Sequence, residues 1–135
     1  MGIRSGRPAT TWCFCQEGDF WTVAYEGRVV RLRDVKGMHY LAQLLAHPGR
    51  RYHVCELAAV IALAGCNGGC ERARKAVTNR IRQTVARITA SHPALGLHLR
   101  NAVHTGMELS YTPDRPMPWR VRVRRVRPVA SLQAL

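Results

Sequence analysis

The chain has 135 residues, 47% of them hydrophobic, and its 21 Lys and Arg outweigh 8 Asp and Glu for a formal net charge of +13. That length suits one domain with some tail, and the apolar fraction belongs to a globular chain rather than a disordered one. The charge says little about fold but calls for an anionic partner, and without a long apolar run or a lipidation motif that partner is expected to be nucleic acid rather than a membrane.

Residues 1–11 are basic and polar, with no apolar stretch of signal-peptide length, so a cytoplasmic location is expected. Residues 1–18 read as a basic, flexible N-terminal segment, although Trp12–Glu17 is apolar enough to pair as a short strand. FWTVAY (residues 20–25), Glu26-Gly27 and RVVRL read as a β-hairpin, with Trp21, Val23 and Tyr25 on one face and Val30 and Leu32 as their partners. Asp34 stands where it would cap a helix over residues 35–46, in which Met38, Leu41, Leu44 and Leu45 form the buried stripe. Pro48-Gly49 ends that helix, and residues 50–54 leave room for one edge strand. Residues 55–64 predict a second helix, apolar on most sides through Leu57, Val60, Ile61 and Leu63. The glycines of CNGGC let the next helix leave at a steep angle.

That next helix, residues 71–88, has two faces. Val77, Ile81, Val85 and Ile88 recur every three or four residues, while Arg72, Lys75, Asn79, Arg82 and Gln83 fall opposite them, flanked by Arg80 and Arg87. After it come a turn at His92-Pro93, a short apolar piece ALGLHL, and a hairpin over residues 100–112 in which Met107, Leu109 and Tyr111 alternate with polar residues. From Trp119, Val121 and Val123 alternate with Arg120, Arg122 and Arg124, which suits an edge strand or an Arg-rich tail over residues 120–135. The expected organisation is thus a flexible segment (1–18), a folded domain (19–119) and the tail. The expected fold class is α+β: three helices with an N-terminal β-hairpin and a C-terminal hairpin, the order of a winged helix-turn-helix.

Enzymatic chemistry finds no footing. The eight carboxylates are scattered, the glycines of CNGGCERARK lack the lysine-serine ending of a phosphate-binding loop, and the six histidines include no pair four apart. The cysteines form a CxC (Cys13, Cys15), a CxxxC (Cys66, Cys70) and a lone Cys55, an odd count without the paired CxxC spacing of zinc sites. Reduced thiols, with no metal and no cofactor, are therefore expected.

RVVRLRDVKGMHYLAQLLAHPGRRYHVCEL resembles the opening of OmpR/PhoB-type winged-helix domains in its leucine frame (Leu41, Leu44, Leu45), its Pro48-Gly49-Arg50 turn and its Glu56-Leu57 helix start. Thr105, Gly106 and Tyr111 stand roughly where that family's wing carries a Thr, a Gly and an aromatic. WTVAYEG, KGMHYLAQLLAHPGR, HPALGLHLRNAVHTG and YTPD with PMPW are similar to a C-terminal module of large actinobacterial regulators and ATPases, and together span residues 20–119. Many members of that group carry a long charged helical hairpin where this chain has CNGGC.

The resemblance implies a transcriptional regulator that inserts helix 71–88 into the major groove of double-stranded DNA, with hairpin 100–112 as the wing. Arg pairs with guanine and Asn or Gln with adenine, so base contacts would fall to Arg72, Asn79, Arg82 and Gln83. Phosphate contacts would fall to Lys75, Thr78, Arg80, Arg87, His104, Arg120, Arg122 and Arg124. One short helix binds weakly at physiological salt, so a homodimer or tandem sites are expected, with a nucleoid-associated location. Two alternatives stand beside this reading. One is a protein-interaction module that docks on RNA polymerase or another regulator; the other is RNA or ribosome binding, for which Trp119 and Tyr111 are the nearest stacking aromatics.

Overall fold

The computed structural model describes residues 12–62, 69–114 and 119–123. Among them the chain is mixed α+β, with four helices and seven strands in two sheets. In chain order these are β1 (Trp12–Glu17), β2 (Phe20–Tyr25), β3 (Arg28–Arg33), α1 (Lys36–Ala46), β4 (Tyr52–His53), α2 (Val54–Ala62), α3 (Cys70–Ser91), α4 (Pro93–Ala102), β5 (Val103–His104), β6 (Glu108–Tyr111) and β7 (Trp119–Arg122). No described helix is long and apolar enough to cross a membrane.

The expected N-terminal hairpin is the middle of a larger sheet. Trp21 faces Leu32 and Val23 faces Val30 across β2 and β3, and the Glu26-Gly27 turn takes positive φ at both residues, as tight hairpins require. The sheet order is β3-β2-β1-β7, with β1 antiparallel to β2 and parallel to β7. Trp12–Glu17 therefore belongs to the fold and not to a flexible segment, because Phe14 is fully buried and pairs with Val23. Trp119–Arg122 is likewise an edge strand rather than tail; Arg124 and Val60, Ile61 and Leu63 of the second predicted helix lie where side chains are outside the described residues.

α1 lies against the inner face of this sheet and also against α3. Its expected cap is absent: Val35 is the N-cap residue and no side chain caps the helix. Asp34 instead accepts hydrogen bonds from Trp21 Nε1 and His39 Nε2, each at 2.8 Å, so its carboxylate ties β2 to α1. At Gly37, an added Cβ would lie 2.7 Å from the Arg80 carbonyl oxygen and would overlap Thr84. α1 and α3 thus approach more closely than any residue but glycine permits.

α3 runs 22 residues, longer at both ends than the apolar periodicity alone marks out. His92 closes it and opens the next helix. Its Nδ1 accepts from the Leu95 amide, its Nε2 donates to the Tyr25 carbonyl at 2.9 Å, and Pro93 follows at the first helical position. The apolar piece ALGLHL is thus the body of α4, a fourth helix where three were expected. Gly96 sets it against α3, since a Cβ there would meet the Thr89 side chain. The last elements form the second sheet, order β4-β6-β5, in which Tyr52 pairs with Leu109 and Val103 with Tyr111.

A polar cluster joins the two sheets. Trp119 Nε1 donates to the Tyr111 hydroxyl at 2.9 Å, leaving that hydroxyl to donate to His98 Nε2 at 2.6 Å. Desolvation lowers the His98 pKa, against weaker opposing fields from Glu26 and Asp114, and desolvation also pushes Tyr111 up to about 12. Both groups are therefore neutral at pH 7, as their shared hydrogen bond requires.

Two predictions follow from this packing. Gly37→Ala should lower stability by roughly 1–3 kcal/mol, the usual cost of overfilling a close contact, read as a drop in midpoint in urea. A depressed His98 pKa means that the unfolded chain takes up its proton first, near pH 6.5. Stability should then be full above that pH and fall as pH drops through it towards the folded value. His98→Gln should flatten that part of the pH–stability curve, and an unchanged slope would contradict the assignment.

Candidate functional site

α3 presents its two faces as the periodicity demands. Val77, Ile81, Val85 and Ile88 are buried against the core, joined by Thr84, which touches α1. Arg72, Lys75, Asn79, Arg82, Gln83 and Arg87 are all exposed and Arg80 is half-buried at the margin. At 1.5 Å per residue, Arg72 and Arg87 stand about 22 Å apart along the axis, so the polar face is longer than one groove contact needs. Among the described residues the ion pairs are His39–Asp34, Arg50–Glu56, Arg51–Glu108 and Arg74–Glu71. None takes a cation from the exposed face of α3. Glu71 is instead claimed by Arg74, whose hydrogen bond lowers the carboxylate pKa.

Two clefts border this face. A cleft of about 560 Å³ runs between α3 and α4–β5, lined by Arg82, Val85, Ala86 and Thr89 on one side and Arg100, Val103 and Thr105 on the other. A smaller one of about 180 Å³, on the α1 side, is lined by Lys36, Gly37, Arg80, Gln83, Thr84 and Arg87. The uncapped first turn of α1 opens beside this second cleft, and free helix-start amides favour anions. Lys36 and Arg100 were not singled out by the sequence reading. Arg100 becomes visible once ALGLHLRNA is read as a helix ending beside the hairpin; Lys36 is brought to α3 only by the close α1 contact.

Other expected positions fare differently. Thr78 is buried and its hydroxyl has no hydrogen-bond partner, so it is not available to a phosphate. It sits on the margin of the same stripe as Val77 and Ile81, which turns it inward. His104 is exposed on β5, but its Nε2 is within 2.8 Å of the Thr112 hydroxyl. Arg120 and Arg122 alternate with the half-buried Trp119 and Val121, so they stand on the outer face of the four-stranded sheet beside Cys13 and Cys15. α1 packs against both β7 and α3, so the structure does not bring these two arginines to the exposed face of α3. The hairpin tip, Thr105-Gly106-Met107, holds no cation, although Arg100 lines the same cleft as Thr105 and Arg51 stands 3.8 Å from Glu108.

One further cluster is not marked by any familiar spacing, because Cys70 follows Cys55 by fifteen residues and His53 precedes Cys55 by two. The ligating atoms of His53, Cys55 and Cys70 all lie within 4.8 Å of one another. The CxC pair behaves otherwise. Cys13 and Cys15 sulfurs are 2.6 Å apart, and burial, followed by the contact with Cys15, pushes the Cys13 thiol up to about 12.

Compared with protein-family models, with curated proteins and with solved structures, the chain has no match.

The unpartnered Thr78 hydroxyl yields a prediction. Thr78→Val should raise stability by about 1 kcal/mol or more, because a buried unsatisfied hydroxyl costs that much to desolvate. It should leave binding of any ligand at the exposed face of α3 unchanged, as a titration beside the melting curve would record.

Proposed function

We propose that the chain is a sequence-specific DNA-binding protein, a transcriptional regulator of winged helix-turn-helix type, with α3 entering the major groove. The observation that carries this reading is the exposed face of α3: four exposed cations with Arg80 at their margin and two amide-bearing side chains, none of these cations held by a carboxylate among the described residues. A groove about 12 Å wide admits one such helix, and these are the side chains that read base edges. Support comes also from the element order. α1, α2 and α3 are followed by a β5–β6 hairpin whose inner strand pairs with β4, as expected of a wing. α4, inserted between the third helix and the hairpin, and the four-stranded sheet are additions to the simplest form of that architecture.

Roles divide along the helix. Base contacts in such proteins come mainly from the N-terminal part of the third helix, which favours Arg72, Asn79 and then Arg82 and Gln83. Lys75 and Arg87, with Lys36 and Arg80 in the small cleft and Arg100 in the large one, would meet the two phosphate backbones. The wing would contribute shape more than charge. Arg120 and Arg122, on the far sheet face, would sit off the duplex and leave that surface for a protein partner.

The test is a binding titration at several salt concentrations, on DNA selected from a random pool and on an unselected control. Arg82→Ala should relax discrimination by about 1–3 kcal/mol, the worth of one bidentate base contact. Lys36→Ala and Arg87→Ala should weaken both DNAs alike and each reduce the salt slope by about 1. Arg122→Ala should change neither. A wild-type chain that binds acidic polymers and DNA equally, with no sequence enriched from the pool, would reject the proposal.

A further inference from the structure

His53 and Cys55 sit where β4 runs into α2, and Cys70 is the first residue of α3. His53 is exposed and the two cysteines are half-buried, so all three are within reach of a solute ion. The Cys55 and Cys70 sulfurs are 2.9 Å apart. His53 Nδ1 lies 3.1 Å from the Cys55 amide, and its own amide donates to Glu56 Oε1 at 3.3 Å. These contacts form a reciprocal cap that fixes the imidazole over the start of α2. Two sulfurs and an imidazole nitrogen are the donor set of tetrahedral zinc. With Zn–S near 2.3 Å and Zn–N near 2.0 Å, tetrahedral ligands stand about 3.5–3.8 Å from one another. The donors here already lie within 4.8 Å, so each need move by only about 1 Å.

We infer that His53, Cys55 and Cys70, with both cysteines reduced, form a zinc-binding site that ties the β4–α2 junction to the first turn of α3. In this conformation Cys70 is already a free thiol, whereas Cys55 is disulfide-bonded to another cysteine, so a thiol or phosphine reductant must first supply two electrons and two protons to open that bond. Zinc then displaces one proton from each thiol and leaves a dithiolate whose charge balances the ion. Ligation through Nδ1 replaces the hydrogen bond from the Cys55 amide. The three side chains leave one tetrahedral position that they do not fill. Cys13 and Cys15 are poor rivals for the metal, because they lie in the β1 strand beside β7 with no histidine near them among the described metal-ligand clusters. The inference is independent of DNA binding, since it concerns how the helix is held and not what its exposed face meets.

The experiment uses the full chain, reduced with a phosphine, incubated with excess Zn²⁺ and desalted. Native mass spectrometry should show one zinc per chain, with the loss of two protons. Cys70→Ser should abolish retention, and His53→Ala should weaken it by more than the roughly 10–100-fold that outer-shell changes cost. Cys13→Ser and Cys15→Ser should each keep one zinc. Because Cys70→Ser could itself unfold the chain, the wild type is also loaded with Co²⁺, where a thiolate-to-cobalt absorption band in the near ultraviolet is expected. Zinc should in addition raise the melting temperature of the reduced protein and a chelator should reverse the rise. No zinc in the reduced wild type, bound cobalt without the thiolate band, or zinc lost from Cys13→Ser but kept in Cys70→Ser would each overturn the inference.

Discussion

The contact on which the architecture turns is the approach of α1 to α3 at Gly37. The α1 backbone lies against Thr84 and the Arg80 carbonyl with no room for a methyl group. A helix has one orientation about its axis, so pressing Thr84 onto α1 decides where every other residue of α3 points. Val77, Ile81, Val85 and Ile88 then meet the core, and Arg72, Asn79, Arg82 and Gln83 are left exposed on the opposite face. The same contact carries Lys36 to the side of Arg80 and Arg87, so one packing event both fills the core and assembles a cationic cleft. The second flank is built likewise: Gly96 lets α4 settle on Thr89 and delivers Arg100 across from Arg82.

Around that pair of helices, polar groups do the joining that apolar packing cannot specify. Asp34, freed from capping α1, holds the Trp21 indole and the His39 ring and so registers the sheet on the helix. His92 serves two helices at once and reaches back to the Tyr25 carbonyl. Trp119 links the edge of one sheet to Tyr111 of the other through one hydrogen bond, and Tyr111 in turn reaches His98 on α4 through a second. Each is a partly or wholly buried polar group with its partner supplied, which makes the arrangement unique rather than merely compact.

Among the described residues, cations gather on two surfaces. One set of cations borders α3; another, Arg31, Arg33, Arg120 and Arg122, alternates along the outer face of the four-stranded sheet, where Arg31 covers the Phe20 ring. α1 and the sheet stand between them. A charge count cannot distinguish one large patch from two. The His53, Cys55 and Cys70 cluster belongs to neither surface; it lies at the joint where α3 begins.

By itself the sequence determined what depends on neighbours a few residues away. The faces of α3 follow from its 3.6-residue period, the β2–β3 register from alternation about Glu26-Gly27, and the buried stripe of α1 from its leucines. What depends on contacts across the fold was settled by tertiary structure alone. Trp12–Glu17 is short and ambiguous in isolation but becomes a central strand because β2 and β7 supply partners on both sides. ALGLHL is too brief to announce a helix, yet His92, Pro93 and the bed offered by Thr89 complete one. Asp34 has the local look of a cap and is drawn off by an indole thirteen residues upstream. Thr78 turns inward because it flanks the packed stripe, and Arg120 and Arg122 face away from α3 because strand alternation is referred to a sheet whose order the local sequence does not encode. Periodicity is a short-range property and was legible; the choice of partner for each face is a long-range one, made when the whole core closes.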